Sequence, residues 1–226
     1  MTNPQDIASQ VTGEGMRGAG INPLNVGGGR GTIFTEPVLV VNQKAKLIEI
    51  TNQYSVFNKD GVLIASVSEV GQSKLKKLLR IVSAVDQFMT HTLEVRDVSA
   101  QLVMTITRPR KIVKSRVIVS DASGAELGRI VQQNAIGKIR FGLQAGGQEI
   151  GTLKAENWRA WNFAIADVNG TEVARITKTF EGIAKAMFTT ADNYVVQIHG
   201  TIAQPLLSLV VAAALSVDTA LKQDSN

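Results

Sequence analysis

From Pro37 to Ile198 the chain reads as short runs of alternating apolar and polar residues separated by turn residues, the pattern of half-buried antiparallel strands. PVLVVNQ and KLIEITNQYSVFN are the first of these runs. Three turns share one form, an Asp or Asn leading to Gly: FNKDGVLIASV around Gly61, VSDASGAELGRIV around Gly124 and IADVNGTEVARIT around Gly170. Each is flanked by alternating apolar positions, which predicts hairpins. FGLQAGGQEIGTL reads as a further copy around Gly146 and Gly147. The count comes to about a dozen strands, enough for a closed barrel or a large sandwich.

Two stretches break the alternation. PLLSLVVAAALSVDTALK, residues 205–222, places Leu206, Leu209, Val210, Leu215 and Val217 all around a helical wheel and leaves no polar arc, so protein must enclose this helix. Pro205 suits its first turn. The run from Ile202 to Val217 is short of the roughly 20 apolar residues that span a bilayer, and Asp218 interrupts it. The second stretch, Ser73 to Met89, sets Leu75, Leu78, Leu79, Val82, Val85 and Met89 at helical spacing among Lys74, Lys76, Lys77 and Arg80. Two readings stay open for it: a basic helix lying on an anionic membrane, or an apolar stripe packed on the sheet with solvated lysines.

The first 31 residues hold a cluster of glycines and few apolar groups, which predicts a flexible tail; GGGRG at 27–31 lacks the Lys-Ser or Lys-Thr of a phosphate loop. The expected division is a tail over 1–33 and a barrel domain over 34–226.

Composition narrows the function. The 226 residues contain no cysteine, which excludes disulfides, thiolate metal sites and cysteine nucleophiles. MTNPQDIASQ lacks the layout of a secretory signal, so a cytoplasmic chain is expected. A net charge of +5 favours phosphate-bearing surfaces. Besides the Ser73–Met89 bases, TITRPRKIVKSRVIVS carries Arg108, Arg110, Lys111, Lys114 and Arg116, with Arg110, Lys114 and Arg116 on one face if the alternation is unbroken. No aromatic residue lies among them, which argues against nucleic acid; lysines guarding an edge strand are the plainer reading.

Catalytic constellations are absent from the sequence. His91 and His199 belong to no ligand-spaced pair and read as structural. Ser208 and Ser216 lie in the apolar helix, where they are expected to bond to preceding carbonyls. Trp158 and Trp161 in ENWRAWNF read as wall packing before membrane anchors. No enzyme, cofactor or metal is expected.

VARITKTFEGIAKAMFTTADNYVVQI, from Val173 to Ile198, followed by the apolar helix, resembles the end of phospholipid scramblases and LURP-one-related proteins. The resemblance rests on Ile176, Lys178, Phe180 and Gly182, then Phe188, then Ala191 to Tyr194, and Asp218 near the helix end. Phe180 stands where many members have tryptophan, and the cysteine-rich segment of animal scramblases is missing. A tubby-like fold is implied: a closed antiparallel barrel of twelve strands around the C-terminal helix. So is a phospholipid-binding protein at the cytoplasmic membrane face that moves lipids between leaflets without covalent chemistry. The alternative is a soluble interaction or structural module on the same barrel.

Calcium responsiveness is not carried over from that family. The matching loop, Thr190 to Thr201, keeps one carboxylate, Asp192, where an EF-hand-like loop needs several oxygen side chains. Asp192 and Asn193 are expected to form a hairpin turn instead.

Overall fold

The computed structural model describes residues 31–43, 53–70, 90–109, 115–134, 139–157, 162–177 and 193–221. Among these residues twelve strands precede one helix: β1 Val38–Gln43, β2 Gln53–Asn58, β3 Leu63–Val70, β4 His91–Asp97, β5 Leu102–Arg108, β6 Arg116–Asp121, β7 Glu126–Gln132, β8 Arg140–Ala145, β9 Gln148–Asn157, β10 Asn162–Asp167, β11 Glu172–Thr177, β12 Asn193–Ile198 and α1 Leu206–Leu221. Each strand pairs antiparallel with its sequence neighbours, and β12 closes on β1 through Val40 opposite Val195. The sheet is therefore the closed barrel, and the sandwich falls away.

Period-two alternation decides which side chains enter the lumen. In β4, His91, Leu93 and Val95 are buried while Thr92, Glu94 and Arg96 are partly exposed. A barrel of this size leaves room for a helix about 10–12 Å wide, and α1 occupies it. Leu209 and Val210 are 0% exposed and Leu215 2%, whereas Leu206 is partly buried at the entrance; of Val217 only the helical backbone is described. Fully burying one such side chain contributes about 1.5–3 kcal/mol. Buried Ala212, Ala213 and Ala214 keep α1 slim, and Gly128 on β7 and Gly151 on β9 make room for Leu209 and Leu206.

The helix starts one residue after Pro205. Gln204 caps it, its Oε1 accepting from Ser208 N at 3.2 Å and Ser208 Oγ at 2.7 Å. Ser208 thus bonds to a side chain rather than to the preceding carbonyl expected from sequence, because Gln204 folds over the first turn. Ser216 behaves as expected, donating to Ala212 O at 2.6 Å.

The two rims of the barrel differ. One rim, here the hairpin rim, carries the five turns β2–β3, β4–β5, β6–β7, β8–β9 and β10–β11. α1 enters there, since β12 ends beside the start of β11, His199 N donating to Val173 O at 2.8 Å. Next to it, the turn after Thr32 buries Ile33 to 2% exposure. The other rim, the connection rim, is where odd-numbered strands hand over to even-numbered ones. Each of its six connections includes residues outside the described set.

Four hairpins repeat one turn. Asn58, Asp97, Asp121 and Asp167 each use Oδ1 to accept the backbone N–H groups two and four residues on. The fourth residue has positive φ in all four: Gly61, Gly124 and Gly170, but Ala100 in β4–β5 at φ 61°. Sequence reasoning missed that copy for want of a glycine. The β8–β9 turn is not a copy of this form; it is a two-residue turn through Gly146 and Gly147, both with positive φ. All five hairpins carry a register shift close to the turn, and such bulges add the coiling that closes a barrel.

Candidate functional site: a basic sector of the connection rim

β3, β4, β5 and β6 are consecutive in the wall, and of the bases singled out in the sequence Arg108 ends β5 and Arg116 begins β6. Lys74, Lys76, Lys77 and Arg80 lie between β3 and β4, and Arg110 and Lys114 between β5 and β6; all six fall outside the described residues. Arg116 is described, exposed at the first position of β6. The expected stripe of Arg110, Lys114 and Arg116 therefore meets the structure only at Arg116, where the strand begins. Trp158, Trp161 and Asp192 also fall outside the described residues, while Asn193 opens β12.

The inner face of this sector turns polar at the rim. Glu69, His91 and Arg108 share the inward face with Val67, Leu93 and Ile106. His91 Nδ1 lies 2.6 Å from Glu69 Oε1, the side chains being 10% and 2% exposed, and His91 is in register with half-buried Arg108. A buried carboxylate is tolerated when paired, and the imidazole supplies the partner. His199, at the hairpin rim, instead stands 3.4 Å from Glu172 on the outside.

Most described bases on the outer wall are neutralised. Lys59 pairs with Asp60, Arg96 with Glu94 and Arg129 with Glu126, each at 2.7 Å. Arg175 binds Glu172 and Glu156 at 2.6 Å each. Those carboxylates push its guanidinium up, Glu172 first, and Arg175 in turn holds Glu172 below the usual carboxylate range. Arg116, Arg140 and Lys154 are the exceptions: among the described residues they have no ion-paired carboxylate.

Sequence reasoning missed Arg140 and Lys154. Simple counting outward from Gly146–Gly147 sets Arg140 opposite Leu153, but the bulge at Leu143/Gln144 shifts the register by one and brings Lys154 opposite instead. Chemically, Arg116 on β6 with Arg140 on β8 and Lys154 on β9 offers exposed cations suited to anionic groups. No cluster of three or more His, Asp or Glu fit to hold a metal occurs among the described residues. Nor does any helix among them have the length and apolarity to cross a membrane.

The family model described as Scramblase matches residues 16–221. A phospholipid scramblase family protein of Schizosaccharomyces pombe is 23% identical over 188 residues, covering 75% of this chain and 48% of that protein. The altered inheritance rate of mitochondria protein 25 of Saccharomyces cerevisiae is 23% identical over 197 residues, covering 74% of this chain and 59% of its own. The chain thus spans about half the length of the curated relatives it matches. An X-ray structure of a protein from Arabidopsis thaliana is similar with a TM-score of 0.47 and 12% identity, over 82% of this chain and 94% of that one.

Proposed function

The chain belongs to the Scramblase family, and we propose that it binds anionic phospholipid at the cytoplasmic membrane face through its connection rim. The observation that carries this reading is that the strands which two basic stretches join in sequence, β3 to β4 and β5 to β6, stand side by side in the wall. In sequence, Lys74, Lys76, Lys77 and Arg80 fall between β3 and β4, and Arg110 and Lys114 between β5 and β6, just before Arg116. Bases near an anionic surface contribute about 1 kcal/mol each, so together they favour peripheral association without an inserted helix.

Lipid association is the primary activity in this reading, and movement of lipid between leaflets the secondary one. α1 fills the lumen and cannot span a bilayer while it stays there, which favours docking over autonomous translocation. Headgroups moved along the barrel would meet no covalent step, so the protein acts by binding and not as an enzyme.

The test is cosedimentation of the full chain with phosphatidylserine vesicles over a salt series, beside the fourfold reversal Lys74→Glu, Lys76→Glu, Lys77→Glu, Arg80→Glu. Binding should fall as salt rises and fall further in the reversal. Absence of binding at low salt would sink the reading. A lipid-flip assay on the same preparation separates binding from translocation.

A further inference from the structure

We propose that Arg116, Arg140 and Lys154 form the docking face by which the outer wall of β6–β9 meets the phosphates of an anionic phospholipid bilayer; this rests on the lipid-binding reading above and extends it to residues in neither basic connection. Arg140 and Lys154 stand directly opposite each other across β8 and β9. Cβ atoms so placed are about 4.5–5.5 Å apart, and like charges there are destabilising. Both side chains are exposed.

Among the described residues neither base has an ion-paired carboxylate, and Glu156, two residues from Lys154, is bound by Arg175. Glu149, an acid on the same strand as Lys154, is engaged by Gln133 Nε2 above Gly142. By contrast Lys59, Arg96, Arg129 and Arg175 each have a carboxylate within 2.7 Å. An uncompensated like-charge pair in such a wall fits a ligand that arrives from outside carrying negative charge, and a phosphate bridging guanidinium and ammonium supplies it.

The third base extends the face. Arg116 lies in the row Arg116–Val131–Gly142–Thr152, one step inward from the Arg140–Lys154 row. Strands are about 4.8 Å apart, so Arg116 sits about 10 Å across the wall from Arg140. The opposite rim has the other sign: Asp60, Asp97, Asp121 and Asp167 occupy its hairpins, and Lys59 there is paired. The exposed valines of that rim, Val98 and Val168, each follow one of those aspartates. An anionic plane is therefore repelled from the hairpin rim and accepted at the β6–β9 flank of the connection rim.

The experiment compares the full chain with Arg140→Glu/Lys154→Glu on phosphatidylcholine vesicles with and without phosphatidylserine, with the charge swap Glu126→Arg/Arg129→Glu as control. The double reversal should weaken binding to the phosphatidylserine vesicles about tenfold or more, and the swap should leave it unchanged. Arg140→Gln should weaken binding while raising the urea midpoint, because it removes a repulsion; urea midpoints also confirm that each variant folds. Wild-type binding that survives the double reversal overturns this docking face and leaves lipid binding standing, whereas absence of wild-type binding overturns both. Equal competition by inorganic phosphate or by RNA would mark an anion site unrelated to membranes and overturn the proposal.

Discussion

Leu209 of α1 packs against Gly128 of β7 so closely that a Cβ at position 128 would stand 3.1 Å from Leu209 Cδ1 and collide with the Gln144 carbonyl. Gly128→Ala should therefore destabilise the barrel by about 1–3 kcal/mol through overpacking, and Leu209→Ala by about 2–5 kcal/mol through the cavity it leaves. Val210→Asp, which puts a charge at a 0% exposed position, should abolish soluble folding. Urea denaturation of Gly128→Ala and Leu209→Ala checks the order; a soluble, folded Val210→Asp chain would contradict the central position of α1.

The Glu69–His91 pair gives a second expectation. His91→Leu removes one hydrogen bond to a carboxylate that is 2% exposed and should cost about 1.5–3 kcal/mol. Glu69→Leu with His91→Leu should cost less than His91→Leu alone, since no buried carboxylate remains. Denaturation midpoints of the two variants decide it.

At Ala100 the chain holds a left-handed conformation, φ 61°, that its three sister turns give to glycine. That conformation costs a non-glycine residue about 1–2 kcal/mol, and glycine returns part of the gain as chain entropy. Ala100→Gly should raise stability by roughly 0.5–1 kcal/mol, a rise of a few degrees in Tm by calorimetry.

Acid should unfold the barrel partly through Glu172 and Asp121. Arg175 lowers the pKa of Glu172, and the Ser123 hydroxyl followed by backbone N–H groups lowers that of Asp121. Their stabilisation is present above the unfolded-state carboxylate values and is lost as pH falls through the lower folded-state values. Glu172→Gln should thus be less stable at neutral pH and show a shallower fall in Tm below the usual carboxylate range. An unchanged acid slope would remove Glu172 from the account.

For calcium, the Thr190–Thr201 stretch continues as strand β12 from Asn193. Titration calorimetry should detect no micromolar site, and vesicle binding should be indifferent to chelator. A site abolished by Asp192→Ala would restore a calcium switch.

What could be read from sequence was whatever depends on local period or on saturation with apolar groups. Alternation placed the strands because side chains on a pleat switch sides at every residue, and α1 was legible as buried because no arc of its wheel is polar. Long-range register was not. Glu69 and His91 meet although 22 residues apart in sequence, and no local pattern announces that meeting. Arg140 and Lys154 became neighbours through a one-residue bulge, a feature that leaves no mark in composition. The basic residues the sequence did single out, other than Arg108 and Arg116, fall outside the described residues.

The helix at the centre of this barrel is C-terminal to all twelve strands. During synthesis the wall therefore emerges first, with its apolar inner face complete in sequence but lacking the plug it surrounds. Closure joins β1 to β12 and must wait for nearly the whole domain, which makes folding a late, non-local event. Until β12 pairs with β1 the sheet has two unpaired edges, and until α1 follows its apolar inner face has no plug, so the unfinished chain is open to aggregation.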